Sequence, residues 1–218
     1  MTELSYRQIP AYANSDLSEL KARLLGKQPF KVTQAALDFG TAFHTLILEP
    51  ATFDPVENLG FMPILNWMRE SLETDTELVS LLQNSDHEIV RQWIDPATGL
   101  PCKGKLDAVV RPRNRHLIDL KTTSSTSLDK FAESCLAYDY DRQAAFYLSS
   151  DSDATFFEFV GVQKQSPYRV YRLAYHKDSE FVQYGRKKMN WLLKRAHEES
   201  LRPDGWRPSA WGRERVTN

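Results

Sequence analysis

A chain of 218 residues that is 41% hydrophobic and 26% charged has the make-up of a folded protein with a sizeable core, which excludes a largely disordered or fibrous chain. Its net charge of -1 gives no global basic field, so any nucleic-acid contact must come from a local patch, and a simple DNA-binding module is disfavoured more than an enzyme. The two cysteines, Cys102 and Cys135, are too few for a disulfide framework or a four-thiolate zinc or iron–sulfur site; they read as small hydrophobes of a reducing compartment.

The opening MTELSYRQIPAYANSDLSELK lacks the charged start and apolar run of a signal peptide, and no stretch reaches membrane-spanning length, so a soluble, cytoplasmic protein with no membrane partner is expected. Neither a repeat nor a Pro/Gly/Ser-rich linker divides the chain. The simplest organisation is one domain over 1–218, with a helical lead-in over 1–30 and a loose tail over 201–218. In the lead-in, Leu17, Leu20, Leu24 and Leu25 fall at helical spacing between a cap at Asn14 or Ser15 and a stop at Gly26. A second helix runs from Thr33 to Glu49 before Pro50; it has few polar residues after Asp38, which predicts a largely buried element. Residues 66–85 are helical material broken near Thr74 to Thr76.

The pattern then changes to β-rich runs, HEIVRQWID, CKGKLDAVVR and HLIDLKTT, whose short connections predict three consecutive antiparallel strands. Residues 127–150 return to helical period in two pieces meeting near Tyr138; ATFFEFVGVQ and YRVYRLAY are strands, and a long helix follows a cap at Asp178 or Ser179. This order predicts an α/β or α+β domain on a mixed sheet flanked by helices.

One aspartate is planted in each strand of the hairpin from Cys102 to Thr123. A turn centred on Arg113 brings Asp107 and Asp119 opposite one another. Facing Cβ atoms lie about 5 Å apart, and like charges there are destabilising unless something offsets them. A hard divalent cation such as Mg²⁺ or Mn²⁺ would, since it takes oxygen ligands from paired carboxylates, waters and substrate phosphates. Alternation puts Lys121 on the face of Asp119, where an ammonium could orient or help deprotonate a nucleophilic water, or stabilise charge on a phosphate. The hairpin alone is equally consistent with two edge-strand acids paired to Lys103, Lys105 or Arg111. His44, on a mostly apolar helix, and Gln143 and Tyr147, four apart on one helix face, are each weak signals singly.

Taken together, FGTAFHTLILEP, WIDPATGLPCKGKLDAVV, LIDLKTT and YDYDRQAAFYL resemble the PD-(D/E)XK nuclease superfamily, with its restriction-endonuclease-like core, and in particular its RecE-like exonuclease branch of phages and prophages. With IPAYANSDLSELK the similarity spans Tyr6 to Leu148. The resemblance implies that Asp107 and Asp119 are metal-binding carboxylates, that the Leu120 carbonyl is a further ligand, that Lys121 is the catalytic lysine and that His44 adds an imidazole. Gln143 and Tyr147 match the Q-x-x-x-Y motif. Glu88 is a further candidate near the metal, against its reading as a solvated strand glutamate.

The implied reaction is Mg²⁺- or Mn²⁺-dependent hydrolysis of linear duplex DNA from the 5′ end, leaving 3′ overhangs for recombination by a single-strand annealing protein, with a homo-oligomeric ring as the expected assembly. The alternatives are an endonuclease or single-strand nuclease of the same superfamily, or a catalytically idle module that binds DNA ends. Lys105, Arg111, Arg113 and Arg115 near the turn, with Arg186, Lys187 and Lys188 on the last helix, are candidate phosphate contacts against the ordinary reading of solvated charges. Residues 53–86 match nothing in the resemblance.

Overall fold

The computed structural model describes residues 6–28, 32–111 and 115–212. Before the sheet come α1 (Asn14–Leu24), α2 (Gln34–Leu48), α3 (Met62–Glu73) and α4 (Thr76–Gln83). Strands β1 (Ser85–Ile94), β2 (Pro101–Val110) and β3 (Arg115–Thr123) follow, then α5 (Leu128–Ala137), α6 (Tyr140–Leu148), β4 (Ala154–Gln163), β5 (Val170–His176) and α7 (Glu180–Ser200). The five strands form one mixed sheet, as the sequence predicts, and their order is β1-β2-β3-β4-β5. Only β3 and β4 are parallel, because α5 and α6 supply the crossover that a parallel pair needs.

Alternation along β3 divides its apolar residues between two faces. Ile118 and Leu120 pack with Phe43 of α2, Met68 of α3 and Leu78 of α4, whereas Leu117 packs with Phe131 of α5 and Ala144 of α6. The sheet is thus covered by helices on both sides. A third cluster joins Tyr12 and Leu17 to Phe146 of α6 and Leu193 of α7.

Local chemistry explains most boundaries. Thr33 and Ser179 cap α2 and α7 by accepting from Ala36 N and Val182 N. The break near Thr74 is real, and Asp75 caps α4. The cap of α1 differs from expectation: it is Ala13, whose N–H donates to the Asp16 carboxylate at 2.8 Å. Asp16 therefore satisfies the orphan donor from within the first turn, and the Asn14 side chain binds Arg142 instead. Helix α2 is buried only from Phe39 onward; Gln34 to Asp38 are exposed.

The loose tail expected over 201–218 is also corrected. Trp206 is buried against Tyr12, its Nε1 donates to Glu19, and Arg207 donates to the carbonyls of Glu199 and Ser200 at the end of α7. Residues 213–218 lie outside the described residues.

Candidate metal centre and active site

The β2–β3 ladder pairs Ala108 with Ile118, Val109 with Leu117 and Val110 with His116, the register that places Asp107 opposite Asp119. The ladder stops one step short of the acids. There the Asp107 side chain takes the place of a backbone partner, and its Oδ2 accepts from Leu120 N at 2.8 Å. On the other side of β2, pairing runs through His87–Ala108 and Ile89–Leu106 but omits Glu88, which faces Asp107 with a left-handed backbone, φ 54°. Such a conformation is costly for a residue with a Cβ and is held by its surroundings. Leu106 and Ala108 should share a face, yet they pack into opposite cores, so β2 rolls over at Asp107.

This distortion gathers donors. Atoms of His44, Glu88 and Asp107 lie within 4.8 Å of one another, a set of two carboxylates and one imidazole. His44 Nε2 is 2.9 Å from the Leu120 carbonyl and Nδ1 is 3.5 Å from Asp107 Oδ2. Because a carbonyl only accepts, Nε2 carries a proton, and Nδ1 faces the carboxylate, where it is a donor when protonated and a metal ligand when not. Burial pushes the Asp107 carboxyl up; His44 opposes that, while the nearby Asp119 adds to it. Two half-buried acids face to face, strained backbone and an imidazole lone pair fit a divalent cation, which would offset the repulsion. Glu88 is thus part of the cluster rather than solvated; its other contact is an ion pair with Lys105.

Asp119 is not a member of that three-residue group. It is buried, with Oδ1 accepting from Gln143 Nε2 at 2.7 Å and Oδ2 2.5 Å from Lys121 Nζ. Burial opposes the charge on Lys121, yet Asp119, Tyr140 and Asp107 outweigh it and raise the ammonium's pKa. The ammonium also lies 5.1 Å from the Tyr140 ring centroid, a contact sequence reasoning missed, although Tyr140 is one helical turn before Gln143. Tyr147, one turn beyond Gln143, packs over β2 at Gly104, where a Cβ would come within 2.9 Å of its ring. The glycine of CKGKLD is needed for that approach. Burial pushes the Tyr147 phenol up, and Asp119 adds to the shift.

Lys103 is buried and donates to the carbonyls of Tyr6, Arg7 and Ile9, and Arg111 pairs with Asp86. Lys188 is turned inward onto Asp139 and Asp141. It is therefore a structural cation rather than a solvent-facing phosphate contact. Arg113 and the side chain of Arg115 lie outside the described residues.

Two cavities flank the centre. One, of about 420 Å³, is lined by His44, Glu88, Lys105 and Arg7. The other, of about 570 Å³, runs from Lys121 along the hydroxyl-rich segment Thr122 to Thr126 to Lys130, Tyr138, Tyr140 and Lys164. Sequence reasoning missed Lys130 and Lys164; they lie 9 and 43 residues beyond Lys121, and only the packing of α5 and the β4–β5 turn brings them to the same cavity.

Residues 14–200 match the family model described as a PDDEXK-like domain of unknown function, DUF3799. No curated protein matches the chain. Among solved structures, a candidate exonuclease from Eubacterium rectale superposes with a TM-score of 0.65 at 14% identity, covering 100% of this chain and 94% of that one, which shows a shared fold. An alkaline exonuclease from Laribacter hongkongensis aligns at a TM-score of 0.47 and 11% identity over 91% and 94% of the two chains. A phage related exonuclease from Haemophilus somnus gives 0.46 and 14% over 84% and 80%.

Proposed function

The chain belongs to the PDDEXK-like family DUF3799, and from that premise we propose that it is a divalent-metal-dependent deoxyribonuclease that digests linear double-stranded DNA from its ends. The observation that carries the reading is the adjacency of the His44–Glu88–Asp107 cluster to the Asp119–Lys121 pair. Donor atoms for a hard cation and a fixed ammonium are two of the components that phosphodiester hydrolysis by water uses.

Glu88, Asp107 and His44 would hold the cation, with Asp119 and the Leu120 carbonyl beside them. An imidazole in the set favours Mn²⁺ over Mg²⁺. When bound, the cation supplies Lewis acidity to the phosphate and acidifies a water. Lys121, ion-paired to Asp119, contributes a positive charge to the phosphate as charge builds there. Gln143 fixes the Asp119 carboxylate by donating to Oδ1, and Tyr147 braces β2 through Gly104. Lys105, Lys130 and Lys164 line the two cavities and are the proposed phosphate contacts. The resemblance to RecE-like exonucleases supports 5′ to 3′ digestion, a 3′ overhang, a single-strand annealing partner, recombination or repair as the setting, and a ring-shaped homo-oligomer.

The test is digestion of end-labelled linear duplex with Mg²⁺ or Mn²⁺, alongside a covalently closed circle. Loss of the label from 5′-labelled linear DNA, with the circle intact, is expected. Asp119→Ala and Lys121→Ala should each reduce the rate by at least about 10³-fold while melting as folded proteins, on the scale of losing a transition-state contact. Digestion that persists in both variants would sink the reading.

A further inference from the structure

Asp119 holds the Lys121 ammonium through one oxygen and the Gln143 amide through the other, and it stands opposite Asp107 of the neighbouring cluster. A carboxylate drawn towards a cation loosens its hold on a lysine, whose long side chain carries several freely rotating bonds. Something else must then keep the ammonium at the phosphate. The face of Tyr140 is placed for that task, with the ammonium 5.1 Å from its centroid.

The ring is itself fixed on several sides. It stacks on Phe159 of β4 at 5.2 Å and 19°, and it meets Tyr138 at 6.0 Å. Its backbone follows Asp139, which joins α5 to α6 in the left-handed region at φ 55°. The Asp139 carboxylate is bound by Lys21 of α1 at 2.5 Å and by Lys188 of α7 at 2.9 Å. A non-glycine residue persists there because its surroundings over-determine it. Two cations from opposite ends of the chain thus pin the joint that aims Tyr140 at Lys121.

We propose that Tyr140 is a positioning residue, whose aromatic face would keep the Lys121 ammonium in place for the phosphate were the Asp119 carboxylate drawn towards a bound cation. The inference rests on the nuclease reading for its consequence, though not for its geometry. The role needs a π face and no hydroxyl, so Tyr140→Phe should preserve it and Tyr140→Leu should remove it.

Two readouts test this on the full chain. In metal-free protein carrying ¹³C-lysine, the Lys121 ε-methylene, assigned by its absence from Lys121→Arg, should be shifted upfield by the ring in the wild type and in Tyr140→Phe, but not in Tyr140→Leu. In Mn²⁺-dependent digestion, Tyr140→Leu should lower kcat about tenfold with KM for DNA within about twofold, while Tyr140→Phe stays near wild type. Tyr140→Met replaces Tyr140→Leu if the latter does not fold. An unshifted Lys121 signal in the wild type, or full kcat in the leucine or methionine variant, overturns the proposal. Wild-type protein with the ring shift that cuts no DNA with either metal overturns the nuclease reading and leaves the placement of the ammonium supported.

Discussion

Glu88 shows how a single residue carries both a cost and a use. It holds a left-handed backbone opposite Asp107, where like charges repel, and each feature alone would be selected against in a plain strand. Both are explained if the carboxylate serves a cation. Mn²⁺ at about 100 times its dissociation constant should stabilise the protein by about 2.7 kcal/mol, which for a chain of this size is roughly 5–10 °C in melting temperature. Glu88→Gln should at least halve that shift, with the metal-free melting temperature little changed because the lost ion pair with Lys105 is partly exposed. Differential scanning fluorimetry with a Mn²⁺ titration and a chelator control measures both. An equal shift in the variant would remove Glu88 from the site. The two aspartates and Lys121 are legible in the sequence, since a short hairpin fixes their register. Glu88 is not, because its position depends on how β1 docks and on a backbone twist that no local pattern encodes.

At the level of elements, close approach decides what surrounds the site. Helix α7 lies against α6 at Gly185, where a Cβ would come within 1.9 Å of the Asp141 carbonyl oxygen. Gly185→Ala must push α7 away and should cost about 3 kcal/mol or more, read as a lower urea midpoint. Gly104→Ala meets a side chain instead and should cost less, about 1–2 kcal/mol, while displacing Tyr147 and slowing digestion. One register step from Asp119, buried Glu158 of β4 ties β3 to β5 through His116 at 3.0 Å and Arg172 at 2.5 Å. Burial would raise its carboxyl, but His116 and Arg172 outweigh burial and lower it below the ordinary 4.5. A lowered folded-state value means that this stabilisation is present above the ordinary carboxylate range and is lost as pH falls through the folded value. Glu158→Gln should therefore be less stable than wild type at pH 7, with the difference closing below about pH 4 in acid-side melting curves.

Across the whole molecule, the two ends of the described chain meet over the back of the sheet. Tyr12 bridges to Cys102 of β2 and contacts Trp206 and Trp211, and Glu19 accepts from Trp206 and Ser209. This layer backs α6 and α7, and through Lys21 it reaches the joint that carries Tyr140. Trp206→Ala should lower stability by about 3 kcal/mol, at the lower end of large aromatic truncations because the residue is at the edge of its cluster. The expected signature is a reduced denaturant midpoint at unchanged slope. No helix among the described residues is long and apolar enough to cross a membrane.

The elements and the chemistry of the hairpin could be read from the sequence, because both rest on short-range rules: periodicity, caps, turn length and strand alternation. The sequence pointed to Asp107, Asp119 and Lys121 by register, and resemblance added His44, Gln143 and Tyr147. Only the tertiary structure decided which donors converge, because His44 arrives on α2 and Glu88 on β1 through packing across the sheet. It also turned Lys188 from a candidate phosphate contact into an internal ion pair, and the expected loose tail, through residue 212, into a packed layer. Side-chain direction and the docking of distant segments depend on how apolar faces are buried together, and that is a property of the assembled fold rather than of any local stretch.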